Sequence, residues 1–248
     1  MASFPPIDPS LSRPNHRFPY DREPTRKSRS TLRVLEADDG DHDRKWCWGY
    51  TIFRTVYTPE SNDAFPKAIE RLNTYAKLWA DSDILIRWTS EEPKDPRPNA
   101  DLASRWYNDI IQDRDTLDGV SIDEVGRRFD AWVAENARRP PHQNIRYKAC
   151  IMIDQESLDQ IMMLPENPRP NPDPRVRNNR DPNINNRWVK VVCDWERPDG
   201  GRFWFRVGVR RRLFDLCFIR LEERDIMEYG HWDEGDPILN HWGDDIFR

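Results

Sequence analysis

The sequence predicts an α+β fold, with a mainly antiparallel sheet and helices packed on one face. Three observations carry this. Strand-like and helix-like segments alternate through residues 46–224. Two late strand patterns, RWVKVVCDWE and RFWFRVGV, flank RPDGG, whose Asp199-Gly200 is a hairpin signal. No glycine-rich turn follows the first strand, as a nucleotide-binding doubly wound sheet would require. A ferredoxin-like or elaborated sandwich is the expected architecture, and a doubly wound sheet the alternative.

The elements follow in order. Residues 1–45 hold six Pro and many Arg, Ser and Asp, and are expected to be a disordered leader. WCWGYTIFRTVY, rich in aromatic and β-branched residues, predicts a strand of about ten residues, with Gly49 marking a bulge or a close backbone approach. Phe65, Ala68, Ile69, Leu72, Ala76 and Trp79 lie on one helical stripe, capped by Asn62 or Asp63, with Pro66 in the first turn. Residues 81–101 fit helix or strand. SRWYNDIIQD predicts a second strand. Ser121 and Glu124 make a capping box, and Val120 and Val125 a hydrophobic staple, for a helix running to about Asn136. IRYKACIMID predicts a third strand, and Asp154 caps a short helix after it. Residues 165–186, with six Pro and seven Asn, predict a long mobile loop. A helix over RRRLFDLCFIRLEERDI closes the domain, and 225–248 form an acidic, aromatic tail.

Composition narrows the function classes. The hydrophobic fraction is 37%, below the usual value of about 45%, and 33% of residues are charged. The basic set is 32 Arg against 7 Lys, yet the formal charge is −5. That balance argues against a general nucleic-acid coat but leaves room for a local basic patch, and no DNA partner is expected. Cys47, Cys150, Cys193 and Cys217 show no metal spacing and sit in apolar runs, so they read as reduced, buried residues in a cytoplasmic protein. No signal peptide or membrane-spanning run is present. P-loop, dinucleotide, hydrolase-elbow and zincin motifs are absent. No metal site and no cofactor are expected.

Two constellations could carry chemistry. Asp113, Asp115 and Asp118 follow the second strand, Asp154 and Glu156 the third, and Asp194 sits near the end of the fourth. Carboxylates at strand ends can share a cleft and bind a guanidinium, although turn formation and helix capping use the same residues. Arg202, Trp204 and Arg206 share one face of a strand, with Arg210 and Arg211 beyond it. Arginine beside tryptophan suits phosphates and unstacked bases, against the alternative of a solvated outer face.

The segments WGYTIFRTVY, DRDTLDGVSIDEVGRRFDAWV and CIMIDQESLD, with the closing strand–strand–helix unit, resemble a large group of filamentous-fungal proteins over roughly residues 46–222. Within such proteins the chain is similar to the arginine-containing cyclodipeptide synthases. The resemblance implies a cofactor-free enzyme of secondary metabolism that joins arginine and a second amino acid, both taken from aminoacyl-tRNA, into a diketopiperazine. It implies a catalytic DDxxE motif. The nearest run is Arg224-Asp225-Ile226-Met227-Glu228, where Arg replaces the first Asp, so Asp225 and Glu228 carry over as catalytic residues. A non-catalytic interaction module is the alternative.

Overall fold

The computed structural model describes residues 27–37, 44, 46–85, 95–137, 144–168, 187–196, 201–209, 212–221 and 238–239. The first strand, β1 (Thr51–Arg54), has all four residues buried. Side chains of a strand alternate between faces. Here Ile52, with Tyr50 before it, enters a larger core, and Phe53 a smaller one. A strand buried on both sides reads as a continuous apolar run, as this one does.

The remaining elements are α1 (Lys27–Ala37), α2 (Pro59–Ala80), α3 (Ser82–Leu85), α4 (Arg97–Ser104), β2 (Asp109–Ile111), α5 (Arg114–Leu117), α6 (Ile122–Asn136), β3 (Ala149–Ile153), α7 (Gln155–Met162), β4 (Trp188–Glu196), β5 (Arg202–Gly208), α8 (Arg212–Leu221) and β6 (Ile238–Leu239). They form one mixed sheet in the order β2-β1-β3-β4-β5-β6. β2, β1 and β3 run parallel, with Ile52 opposite both Ile110 and Ile151. β3, β4 and β5, which include the two longest strands, are antiparallel, and β6 lies parallel to β5. The α+β class is as expected from the sequence. The parallel edge is an addition, made by two crossovers that each return the chain to the same end of the sheet.

Those crossovers also place the helices. α2 leaves β1 and packs Phe65, Ala68, Leu72, Tyr75, Ala76 and Trp79 against Ile52, Ile151 and Val191. α1, α4, α7 and α8 join it there, on the single helical face that was expected. α6 leaves β2 for the other face, where Val125 and Phe129 cover Phe53, Cys150, Met152 and Val192. One-face packing is therefore corrected to two. Both faces of the parallel strands are apolar, and exposed Phe53 and Met152 would cost more than a crossing helix.

Local signals explain most boundaries. Ser121 Oγ accepts from Glu124 N at 3.3 Å, and Asp154 Oδ1 from Ser157 N at 2.9 Å. α2 starts earlier than its apolar stripe predicted. Thr58 caps it, Pro59 occupies the first turn, and Pro66 falls inside. β1 and β2 are shorter than their patterns, although Trp48 and Trp106 extend the pairing by a bridge. Gly49 does mark a close approach: its φ is +139°, and a Cβ there would lie 2.1 Å from Tyr107 O. Part of the expected leader is α1, which buries Leu32 and Leu35 in the larger core.

The tryptophans anchor that core. Trp48 lies 5.0 Å from Trp79 and 4.5 Å from Trp106 between ring centroids. Each indole N–H has an acceptor: Leu102 O, Asp215 Oδ1 and Asn73 Oδ1 respectively. Satisfied indoles bury large apolar area without an orphaned donor. All four cysteines are free and buried, as their apolar setting predicted.

Candidate functional site at the strand ends

In open sheets with parallel strands, ligands sit at the C-terminal ends of strands where neighbouring chain segments diverge to opposite faces. β1 and β2 meet that condition here, since α2 and α6 lie on different faces. Four chain segments gather at this end. Thr58 opens α2, Asp113 opens α5, Asp154 opens α7, and Gly119 N donates to Thr55 O, bringing the turn before α6 to the end of β1.

Arg54 closes the gap between β1 and β2. Its side chain is buried, at 6% exposure. Nε donates to Val56 O at 2.8 Å, Nη1 to Gln112 Oε1 at 3.3 Å, and Nη2 to Ser61 Oγ at 3.2 Å and to Asn62 Oδ1 at 2.5 Å. The guanidinium lies between the rings of Tyr57 and Phe65, at 4.5 and 4.8 Å. Every one of these partners is neutral. Burial lowers the Arg54 pKa, and Tyr57 and the more distant Asp118 only partly oppose it. Tyr57 OH donates to Arg54 O and accepts from Asp113 N.

A second cluster stands on the α6 side of the sheet, next to the end of β3. Register explains it: Lys190 lies opposite both Met152 and Arg206, and Val192 opposite Trp204. Lys190 Nζ pairs with Asp154 Oδ2 and, at 3.0 Å, with Glu156 Oε2. Arg206 Nη2 reaches Glu156 Oε1 at 3.2 Å, and its guanidinium stacks 4.5 Å from the Trp188 ring centroid. Lys190 Nζ is 6.0 Å from the Trp204 ring. Burial pulls the Lys190 pKa down, but hydrogen bonds and charge from Asp154 and Glu156 outweigh it and hold the ammonium above its ordinary value.

The predicted site residues divide accordingly. Asp154, Glu156, Trp204 and Arg206 come together. Asp113 is at the same end of the sheet but is used as a cap, accepting from Asp115 N and Thr116 Oγ1 at 3.2 and 2.8 Å. Asp115 and Asp118 are exposed beside it. Asp194 is corrected: it pairs with Lys148 at 3.2 Å at the opposite end of the sheet, because β4 runs antiparallel to β3. Arg202 is corrected too. It shares its strand face with Trp204 and Arg206 as expected, but it runs beneath α6 to Asp130 and is 8% exposed. Gly126 makes room for it, since a Cβ there would sit 2.4 Å from Arg202 Nε. Arg210, Arg211, Asp225 and Glu228 lie outside the described residues.

Sequence reasoning passed over Arg54, Trp188 and Lys190. The signal for Trp188 and Lys190 was alternation: in RWVKVVC they share a face, and the hairpin register sets them against Arg206 and its neighbours. Among the described residues no group of His, Cys, Asp and Glu is placed to hold a metal ion, and no helix is long and apolar enough to cross a membrane. No protein family matches the chain, and neither the curated proteins nor the solved structures yield a match.

Proposed function

We propose that the chain is a cofactor-free transferase of the cyclodipeptide synthase kind, joining arginine and a second amino acid from their aminoacyl-tRNAs. One observation supports it above the others. Lys190, Trp204 and Arg206, with the buried Trp188 beneath Arg206, form a mixed-charge, aromatic cluster that includes the carboxylates Asp154 and Glu156. Indole rings take unstacked bases, Lys and Arg take phosphates, and carboxylates take an ammonium or guanidinium. The reaction balances without an oxidant or reductant. The α-amine of one aminoacyl ester attacks the carbonyl carbon of the other and releases the first tRNA 3′-hydroxyl. The free amine of the dipeptidyl ester then attacks the remaining ester and releases the second. Asp225 and Glu228 belong to this proposal as the groups that move protons.

Expression in a heterologous host, followed by mass spectrometry of small products, tests the reading. A new arginine-containing diketopiperazine is expected, reduced roughly 10-fold or more by Trp204→Ala, in line with about 1–3 kcal/mol for one base–aromatic stack. Absence of such a product from soluble, folded protein would sink the enzyme. One observation favours a second reading as an interaction module: Asp154 and Glu156 are already neutralised by Lys190 and Arg206. A module predicts no product from any aminoacyl-tRNA mixture.

A further inference from the structure

We infer that Arg54, at the divergence of β1 and β2, is the anchor of an oxyanion subsite for a small carboxylate or phosphate monoester. The inference stands on the state of this guanidinium and is independent of the transferase reading. Arginine has five N–H donors in a fixed fork. Arg54 uses four, on Val56 O, Gln112 Oε1, Ser61 Oγ and Asn62 Oδ1. Among the described residues the fifth, on Nη1, meets no acceptor. Among the described residues no carboxylate pairs with it, and the cation–π contacts to Tyr57 and Phe65 leave its in-plane edge to the oxygen acceptors. A buried cation without a counterion is costly, and an oxyanion at its edge removes that cost.

The surroundings admit such a ligand. Two of the four acceptors, Asn62 and Gln112, belong to exposed residues and are neutral amides. An oxyanion that displaces them sets a charged acceptor on the guanidinium in place of a neutral one. It also meets the N-terminal end of the 22-residue α2, whose dipole favours negative charge. Glu60, Asp63 and Asp118 are exposed around the same end. That negative rim disfavours a long polyanion such as a nucleic-acid backbone, while a small ligand reaches Arg54 through short-range bonds. The ligand class is accordingly one oxyanion group on a small molecule.

Thermal unfolding of the full chain in inorganic phosphate, in acetate and in chloride, at matched ionic strength, is the test. A rise of about 3–6 °C over chloride is expected when the anion is near tenfold above its Kd, growing with the logarithm of its concentration. A rise with phosphate alone assigns a phosphoryl ligand, and a rise with acetate a carboxylate. Equal behaviour in all three salts overturns the subsite. Arg54→Gln removes the rise. Should that variant fail to fold, Asn62→Ala and Gln112→Ala carry the test from the outside. Each deletes one competing acceptor and should tighten the anion roughly 10-fold or more, the worth of one hydrogen bond from a charged donor. Unchanged or weaker binding in both overturns the proposal.

Discussion

Two arginines lie at opposite ends of the same parallel strands, and they are solved differently. Arg146, just before β3, is fully buried, and its Nη1 pairs with Asp109, the first residue of β2. Arg44 binds the other oxygen of that carboxylate at 2.7 Å, and Arg146 Nη2 donates to Tyr107 O at 2.7 Å. Arg54, where β1 ends, has only neutral acceptors. Both guanidiniums tie strands together. At the N-terminal end charge is met by charge inside the protein, which marks that end as built for stability. At the C-terminal end the charge is left for something else to meet, which is where sheets of this kind take their ligands.

The largest test of that contrast is Asp109→Ala. It strands Arg146 in the interior without a countercharge, and removing one partner of a buried ion pair costs about 3–5 kcal/mol. Urea unfolding reads this directly. A loss under ~1 kcal/mol would mean that Arg146 escapes to water, and the N-terminal end would not be the structural one.

Arg54→Met is the matching change at the other end, and it should cost less, about 1–2 kcal/mol. No ion pair is lost there, and the loss of hydrogen bonds from the charged donor to neutral acceptors, each worth about 1.5–3 kcal/mol, is offset by removing a buried cation that no carboxylate pairs among the described residues. Equal losses from Asp109→Ala and Arg54→Met in the same urea experiment would erase the distinction between the ends.

What the sequence made legible follows the range of each interaction. Ser121 and Asp154 were readable as caps because a cap is completed three residues away. Gly49 was readable because close backbone approach excludes a side chain. The start of α2 was misread, since Asn62, Asp63 and Thr58 are all good caps and only the preceding strand's exit selects Thr58. Strand direction was not legible at all. An alternating or fully apolar run looks the same in a parallel and an antiparallel ladder, so the relation of Asp194 to Asp154 had no local trace. Nor does the stripe of Val125 and Phe129 say which face of the sheet it will cover, and Arg202 lost its exposure to that choice. Arg54 was hidden for a related reason. Three of its acceptors lie within eight residues and only Gln112 is distant, but a missing countercharge leaves no motif.

The smallest expected effect concerns the Lys190 cluster at the C-terminal end, where a buried ammonium pairs with the half-exposed Glu156. Lys190 has its pKa raised: burial opposes protonation, and Asp154 and Glu156 more than compensate. Since the folded value exceeds the unfolded one, this stabilisation is complete below the ordinary lysine value near ~10.4 and is lost as pH rises through the folded value. Glu156, 48% exposed, supplies one of the two partners. Glu156→Gln should therefore cost only about 0.5 kcal/mol at pH 8, less in high salt, because exposed pairs are screened. The gap to the unaltered protein should shrink in urea unfolding as pH rises above the ordinary lysine value and the ammonium is lost. A gap that stays constant across that rise would show that Glu156 acts through packing. The buried Asp109 cluster should ignore the same salt, because water and ions do not reach Arg146, and the two ends would then separate by their screening as well as by their pairing.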